Sequence, residues 1–157
     1  MKYFLAIIGG GPAGYTAAEK ASKAGKDVVL FEQNAVGGTC LNVGCIPTKS
    51  LLYGAKQYYN ATHAAKYGVT AENVVFDYAA MQKRKTIVVR KLVAGIKQRL
   101  NNEHCTLVSV SATVLSRTDE LVTIRCNEET YEAENLLICT GSTNFVPPIP
   151  GIKDNPA

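Results

Sequence analysis

The sequence predicts an α/β fold: a parallel sheet with helices packed on it and a small antiparallel β-meander added. Three observations carry this expectation. A short apolar run, Phe4–Ile8, stops at glycines and is followed by a helical stretch and a second apolar run, Val28–Phe31. After Cys105 the apolar period changes from helical to two. A last apolar run, Leu136-Leu137-Ile138-Cys139, ends abruptly at Thr140-Gly141-Ser142.

Continuous apolar runs without alternation are what central parallel strands buried on both faces require, and Phe4–Ile8 and Val28–Phe31 have that character. Between them, Pro12 opens a helix that ends near Gly25, with proline at the start and glycine past the end. Strand, helix and strand make a right-handed βαβ unit. A glycine-rich loop, Val36-Gly37-Gly38-Thr39, leads into a mostly helical stretch from about Cys40 to Tyr67. Pro47 is expected to interrupt it with a kink or irregular turn. Asp77 is positioned to cap a further helix reaching about Glu103, with Met81, Val88, Leu92, Ile96 and Leu100 on its apolar face. Leu107–Val110, Ala112–Leu115, Val122–Cys126 and Thr130–Ala133 then read as the short strands of the meander. Leu136–Cys139 reads as one more buried strand, and Pro147-Pro148-Ile149-Pro150-Gly151 as extended linker.

A chain of 157 residues has room for one domain with a sizeable core. Lys and Arg number 17 against 13 Asp and Glu, a formal charge of +4. That excess suits an anionic cofactor and falls short of a dedicated nucleic-acid binder. Lys83-Arg84-Lys85, Arg90, Lys91, Lys97 and Arg99 are read as the solvated face of the last helix, without the aromatic interleaving of a nucleic-acid site. The apolar start is too short for a signal-peptide core or a membrane span, so a cytoplasmic protein is expected, with no membrane partner. Five cysteines, an odd number, argue against a structural disulfide framework and leave any disulfide a catalytic one. No metal site is expected.

Gly9-x-Gly11-x-x-Gly14 joins the first strand to the first helix. The glycines let a pyrophosphate approach the backbone and let the helix pack tightly on the strand. Pro12 and Ala13 open the helix, whose free N–H groups and partial positive charge face the phosphates. Glu32 lies 32 − 14 = 18 residues after Gly14, where it can accept hydrogen bonds from a ribose diol. These features specify a Rossmann-like FAD/NAD(P)-binding domain, and they do not separate FAD from NAD.

Cys40 and Cys45 flank four residues at a helix start, a spacing that closes a small, somewhat strained ring. Helix N-terminal N–H groups favour a thiolate, so one sulfur can stay ionised near neutral pH. Lys49, at i+4 from Cys45, adds positive charge on the same face. Cys105, Cys126 and Cys139 lie in strand-like runs and read as inert core.

The whole segment Gly37-Gly38-Thr39-Cys40-Leu41-Asn42-Val43-Gly44-Cys45-Ile46-Pro47-Thr48-Lys49 resembles the active-site signature of the pyridine nucleotide–disulfide oxidoreductases, the class I flavoprotein disulfide reductases. Within that family it is most similar to the dihydrolipoamide dehydrogenase branch, with Leu41 and Ile46 where mercuric and glutathione reductases more often carry Val. The resemblance extends down to Thr140-Gly141-Ser142. It implies FAD bound in this chain by Gly9, Gly11, Pro12, Ala13, Gly14, Glu32, Gly38, Thr39, Lys49, Ala112, Thr140 and Gly141. It also implies catalysis by Cys40, exchanging with the substrate dithiol, and by Cys45, lying against the flavin as the charge-transfer thiol. Ser111 stands where relatives often have Gly, and Cys139 where they usually have Ala.

The resemblance further implies residues 1–146 as the FAD-binding domain and 147–157 as the start of a linker to NAD-binding and dimerisation domains that this chain lacks. The parent, about three times this long, would be a homodimer. It would oxidise dihydrolipoamide on a lipoyl-bearing acyltransferase or glycine-cleavage carrier protein, passing electrons from Cys40–Cys45 through FAD to NAD. The fragment alone would not turn over. A mercuric or glutathione reductase-like enzyme, a non-catalytic flavin-binding module and an NAD dehydrogenase with structural cysteines remain the competing readings.

Overall fold

A computed structural model describes residues 2–152. Strand β1 (Lys2–Ile8) leads into helix α1 (Pro12–Lys23) and strand β2 (Val28–Phe31), the predicted βαβ unit. The helical stretch that follows is two helices, α2 (Gly38–Asn42) and α3 (Cys45–Thr62), then a 3-10 turn, Ala64–Tyr67. Helix α4 (Tyr78–Leu100) returns alongside α3, and β3 (Cys105–Val108), β4 (Thr113–Arg117), β5 (Val122–Cys126) and β6 (Glu129–Ile138) complete the chain.

The six strands form one sheet in the order β3-β2-β1-β6-β5-β4. The first four are parallel, β5 runs antiparallel to β6, and β4 runs antiparallel to β5. Two expectations are corrected here. Strand β3, read as the first strand of the meander, is the parallel edge strand, with Leu107 opposite Leu30. The runs read as separate strands at Thr130–Ala133 and Leu136–Cys139 are one strand. Strand β6 pairs with β5 through Glu129–Ala133 and with β1 through Glu132–Ile138, so it never leaves the extended conformation when it exchanges neighbours. Asn135, which resembles a turn residue in sequence, instead donates its side-chain amide to the Phe4 carbonyl at 3.0 Å.

The helical break is also displaced. It lies at Val43-Gly44, between α2 and α3, while Pro47 is the third residue of α3. In the first turn no N–H has an intrahelical acceptor, so proline costs nothing there. Asp77 caps α4 as predicted, its carboxylate accepting the Ala80 N–H at 2.9 Å. That helix ends at Leu100, short of Glu103, and buries Ile96 and Leu100, with Val93 packed beside them; Leu92 stays exposed at 43%.

Alternation along β2 sends its four buried residues to opposite faces. Val28 and Leu30 join Ile7, Ala18, Ile96 and Leu100 under the helices. Val29 and Phe31 join Tyr3 and Ala6 on the other face, where Val122, Ile124 and Ala133 of the meander curl over them. Tyr131 meets Phe31 edge-on, with ring centroids 5.2 Å apart. Three layers result, and the carboxyl ends of β1, β2 and β6 open at one rim.

Candidate functional site

That rim holds a cavity of about 940 Å³. Ligands of open parallel sheets bind outside the carboxyl strand ends, where neighbouring connections diverge, and β1 with β2 on one side and β6 on the other is such a point. Gly9, Gly11, Pro12 and Ala13 form one wall. Gly14 lies behind it: any side-chain carbon there would collide with the Gly9 carbonyl oxygen, so α1 packs against the turn only because residue 14 has none. Gly11 is the N-cap of α1 and offers no side-chain cap, leaving the first N–H groups of the helix open beside the cavity.

Glu32 sits where β2 ends, also in the wall. Its carboxylate accepts the Gly10 N–H at 2.7 Å and the Asn34 N–H at 2.8 Å. One acid thus ties the glycine turn to the loop after β2, and each oxygen keeps a lone pair for a hydroxyl donor. The Gly37 N–H adds a bond to the Gly10 carbonyl at 2.8 Å. Gly38, at φ 55°, packs so tightly that a side-chain carbon on it would lie 2.8 Å from Gly11 Cα.

Thr39, Cys40 and Cys45 continue the wall. Cys40 is half-buried on α2, and Cys45, exposed, is the first residue of α3. The N–H groups of Val43 and Gly44 both donate to the Thr39 carbonyl, at 3.1 and 2.7 Å, which folds the connection back on itself. The two thiols are close enough for each to affect the other's ionisation. A hydrogen bond with the Cys45 thiol, then burial and the neighbouring Cys45 charge, push the Cys40 thiol above its ordinary pKa. The Lys49 ammonium and the Cys45 backbone N–H pull the other way and are outweighed. The backbone N–H does favour the Cys40 thiolate, but the net direction at Cys40 is upward, opposite to the lowering that the helix terminus alone would give. Lys49 itself is exposed and stands outside the wall, acting on the pair through its charge.

Ser111 and Ala112 line the far side, and Thr140 and Gly141 close the rim after β6. Cys139 departs from its expected role: it is half-buried and lines the cavity, because its N–H bonds the Ile8 carbonyl at 2.7 Å beside the glycine turn. Cys126 is buried and Cys105 half-buried; burial raises the pKa of both thiols, which suits inert core residues. Asn34, Ala35, Asn42 and Ser142 also line the cavity. Of these only Asn42 lay within the signature read from sequence, and nothing in residue type marked the others. Among the described residues no three His, Cys, Asp or Glu side chains group as metal ligands, and no helix is long and apolar enough to cross a membrane.

The family model described as pyridine nucleotide-disulphide oxidoreductase matches residues 3–157. The chain belongs to that family. Among its curated relatives in the pyridine nucleotide-disulphide oxidoreductases, the dihydrolipoyl dehydrogenase of Acholeplasma laidlawii is 39% identical over 98% of this chain and 45% of its own length. A dihydrolipoyl dehydrogenase of Bacillus subtilis (strain 168) is 42% identical over 88% of this chain and 31% of its own. The chain thus spans less than half the length of these relatives. A solved structure, the Cu(II) complex of the HOCl-induced flavoprotein disulfide reductase RclA from Escherichia coli, superposes with a TM-score of 0.73 at 33% identity. It covers 99% of this chain and 32% of that one. The family implies a flavin cofactor, and the residues present fit one: an open glycine turn and helix start for phosphates, a carboxylate for a ribose, and a dithiol along the same wall.

Proposed function

We propose that residues 1–146 are the FAD-binding part of a dihydrolipoamide dehydrogenase-type enzyme, with Cys40 and Cys45 as its redox pair and 147–157 leading towards NAD-binding and dimerisation domains. The observation that carries this reading is that Cys40 and Cys45 line the same cavity wall as Gly9, Gly11, Pro12 and Ala13.

In the oxidised enzyme Cys40 and Cys45 form a disulfide. A dihydrolipoyl thiolate attacks Cys40, breaking the Cys40–Cys45 bond and releasing the Cys45 thiolate. The second substrate thiol then displaces Cys40, leaving lipoamide disulfide and a protein dithiol, with two electrons and two protons gained by the protein. The bound flavin supplies the two-electron chemistry that connects this dithiol to NAD. Gly9, Gly11, Pro12, Ala13 and Gly14 cradle the pyrophosphate, and Glu32 holds the ribose. Gly38, Thr39, Ala112, Thr140 and Gly141 line the remaining length, and Lys49 adds positive charge near the ring. The substrate would be carried by a lipoyl-bearing acyltransferase or a glycine-cleavage carrier protein, on a homodimer working in the cytoplasm, where catalytic disulfides coexist with free thiols.

The test is made on the intact protein. It should be yellow, reduce NAD with dihydrolipoamide, and show a long-wavelength charge-transfer band on partial reduction that Cys45→Ser abolishes. Persistence of the band in Cys45→Ser would remove Cys45 from its assigned place. A second reading, a reductase acting on other disulfides or on thiophilic metal ions, draws on the likeness to RclA, solved as a Cu(II) complex. Turnover with glutathione disulfide or a soft metal ion, and none with lipoamide, would decide for it. Flavin binding without any turnover would mark a non-catalytic module.

A further inference from the structure

The side chain of Asn42 lies inside the loop that joins the two cysteines. Its Nδ2 faces three backbone carbonyls: Gly38 at 2.9 Å, Val36 at 3.2 Å and Ala35 at 3.5 Å. Three acceptors around one atom require the NH2 group there, so the amide orientation is set by chemistry. These carbonyls belong to the segment that runs from the end of β2 to the start of α2. That segment is the one that touches the glycine turn, through Gly37 N–H to the Gly10 carbonyl and through Gly38 against Gly11. Main-chain bonds alone hold Val43 and Gly44 to Thr39, within the loop itself. Leu41 buries its side chain in the core beside Ile7 and Leu30, and Asn42 supplies the side-chain hydrogen bonds that tie the loop to the segment before it.

We propose that Asn42 is a positioning residue for the redox pair: it clamps the Cys40–Cys45 loop to the nucleotide-contacting segment and so restricts the approach of one thiol to the other. This rests on the reading of Cys40 and Cys45 as a redox pair. Asn42 touches neither sulfur's chemistry. It acts by restricting the loop, which raises the effective concentration of one thiol at the other and makes the disulfide harder to reduce.

The experiment equilibrates this chain, without cofactor, in glutathione redox buffers and counts oxidised Cys40–Cys45 by alkylation and mass. Asn42→Asp keeps the shape and loses every donor, placing a carboxylate against three carbonyl oxygens. Asn42→Ala loses the donors without adding repulsion. Loss of bonds of ordinary strength should lower the effective thiol concentration about tenfold in Asn42→Ala. That corresponds to a potential about 30 mV less negative. Asn42→Asp should fall further in the same direction. Thermal midpoints are measured in parallel. A lowered midpoint with the thiol–disulfide equilibrium within about twofold of the parent in both variants would overturn the proposal and leave Asn42 merely structural. If the unaltered chain formed no Cys40–Cys45 disulfide in any buffer, the redox reading itself would fail and carry this inference down with it. If neither variant folds, the same equilibrium is read in Asn42→Ser, where an unchanged value overturns the proposal and a fall supports it.

Discussion

Glu32 reaches across 22 positions of sequence to accept the Gly10 N–H at 2.7 Å, so the acid at the end of β2 also fastens the glycine turn at the end of β1. The acid and the glycine turn are therefore one hydrogen-bonded unit. Glu32→Ala should cost both cofactor affinity and stability, because two N–H groups lose a charged acceptor at once, each worth about 1.5–3 kcal/mol. Glu32→Gln, which keeps one acceptor oxygen, should lose less. Flavin fluorescence titration and urea denaturation of the two variants check the order.

Gly14→Ala tests how closely α1 must approach the turn. The added methyl collides with the Gly9 carbonyl, and relieving that collision means pushing the helix start away from β1. A loss of about 1–3 kcal/mol in unfolding free energy is expected. Flavin affinity should fall with it, because the open N–H groups of the helix move too. Gly25→Ala, where no atom lies within 4 Å, should cost less, its penalty coming from positive φ alone.

A hydrogen bond with the Cys45 thiol is the leading cause that pushes the Cys40 thiol above its ordinary pKa. Cys45→Ala removes that leading cause and leaves the Lys49 charge in place, so Cys40 should ionise at lower pH. Adding Lys49→Gln should move it back up. The pH profile of iodoacetamide alkylation reads both shifts, and an unchanged midpoint in Cys45→Ala would refute the coupling of the two thiols.

At the opposite end of the sheet, His104 Nδ1 lies 2.9 Å from Asp27 Oδ1, beside the bond from the Val28 N–H to the His104 carbonyl. The Asp27 hydrogen bond, reinforced by the Asp27 and Glu103 charges, raises the His104 pKa against an opposing effect of burial. A raised folded-state value means that the pair contributes fully below the unfolded histidine value of about 6.5. The contribution is lost as pH rises through the folded-state value. Denaturation midpoints of the parent and Asp27→Asn should therefore differ at pH 5.5 and converge at about pH 9.

The local signals in this chain were legible because their causes are local. Phe4–Ile8 and Val28–Phe31 are apolar throughout, as strands covered on both faces must be, and both strands formed. Asp77 could be read as a cap because its carboxylate needs only the N–H three residues on. The cysteine signature was legible as a single block, and both its cysteines line the cavity. Pro47 misled, since proline marks a break only past the first helical turn, and Gly44 made the break instead.

By itself, then, the sequence determined the first βαβ unit, the glycine turn with its acid, and the short block that carries Cys40 and Cys45, since each follows from spacing within one segment. Tertiary structure alone decided that β3 joins the parallel edge, that β6 serves two neighbours, that Cys139 faces the cavity, and that Asn42 clamps the dithiol loop. The physical reason is range. A period of two says that side chains alternate, but the partner each strand meets and the side from which a cavity is closed depend on contacts between residues far apart in the chain.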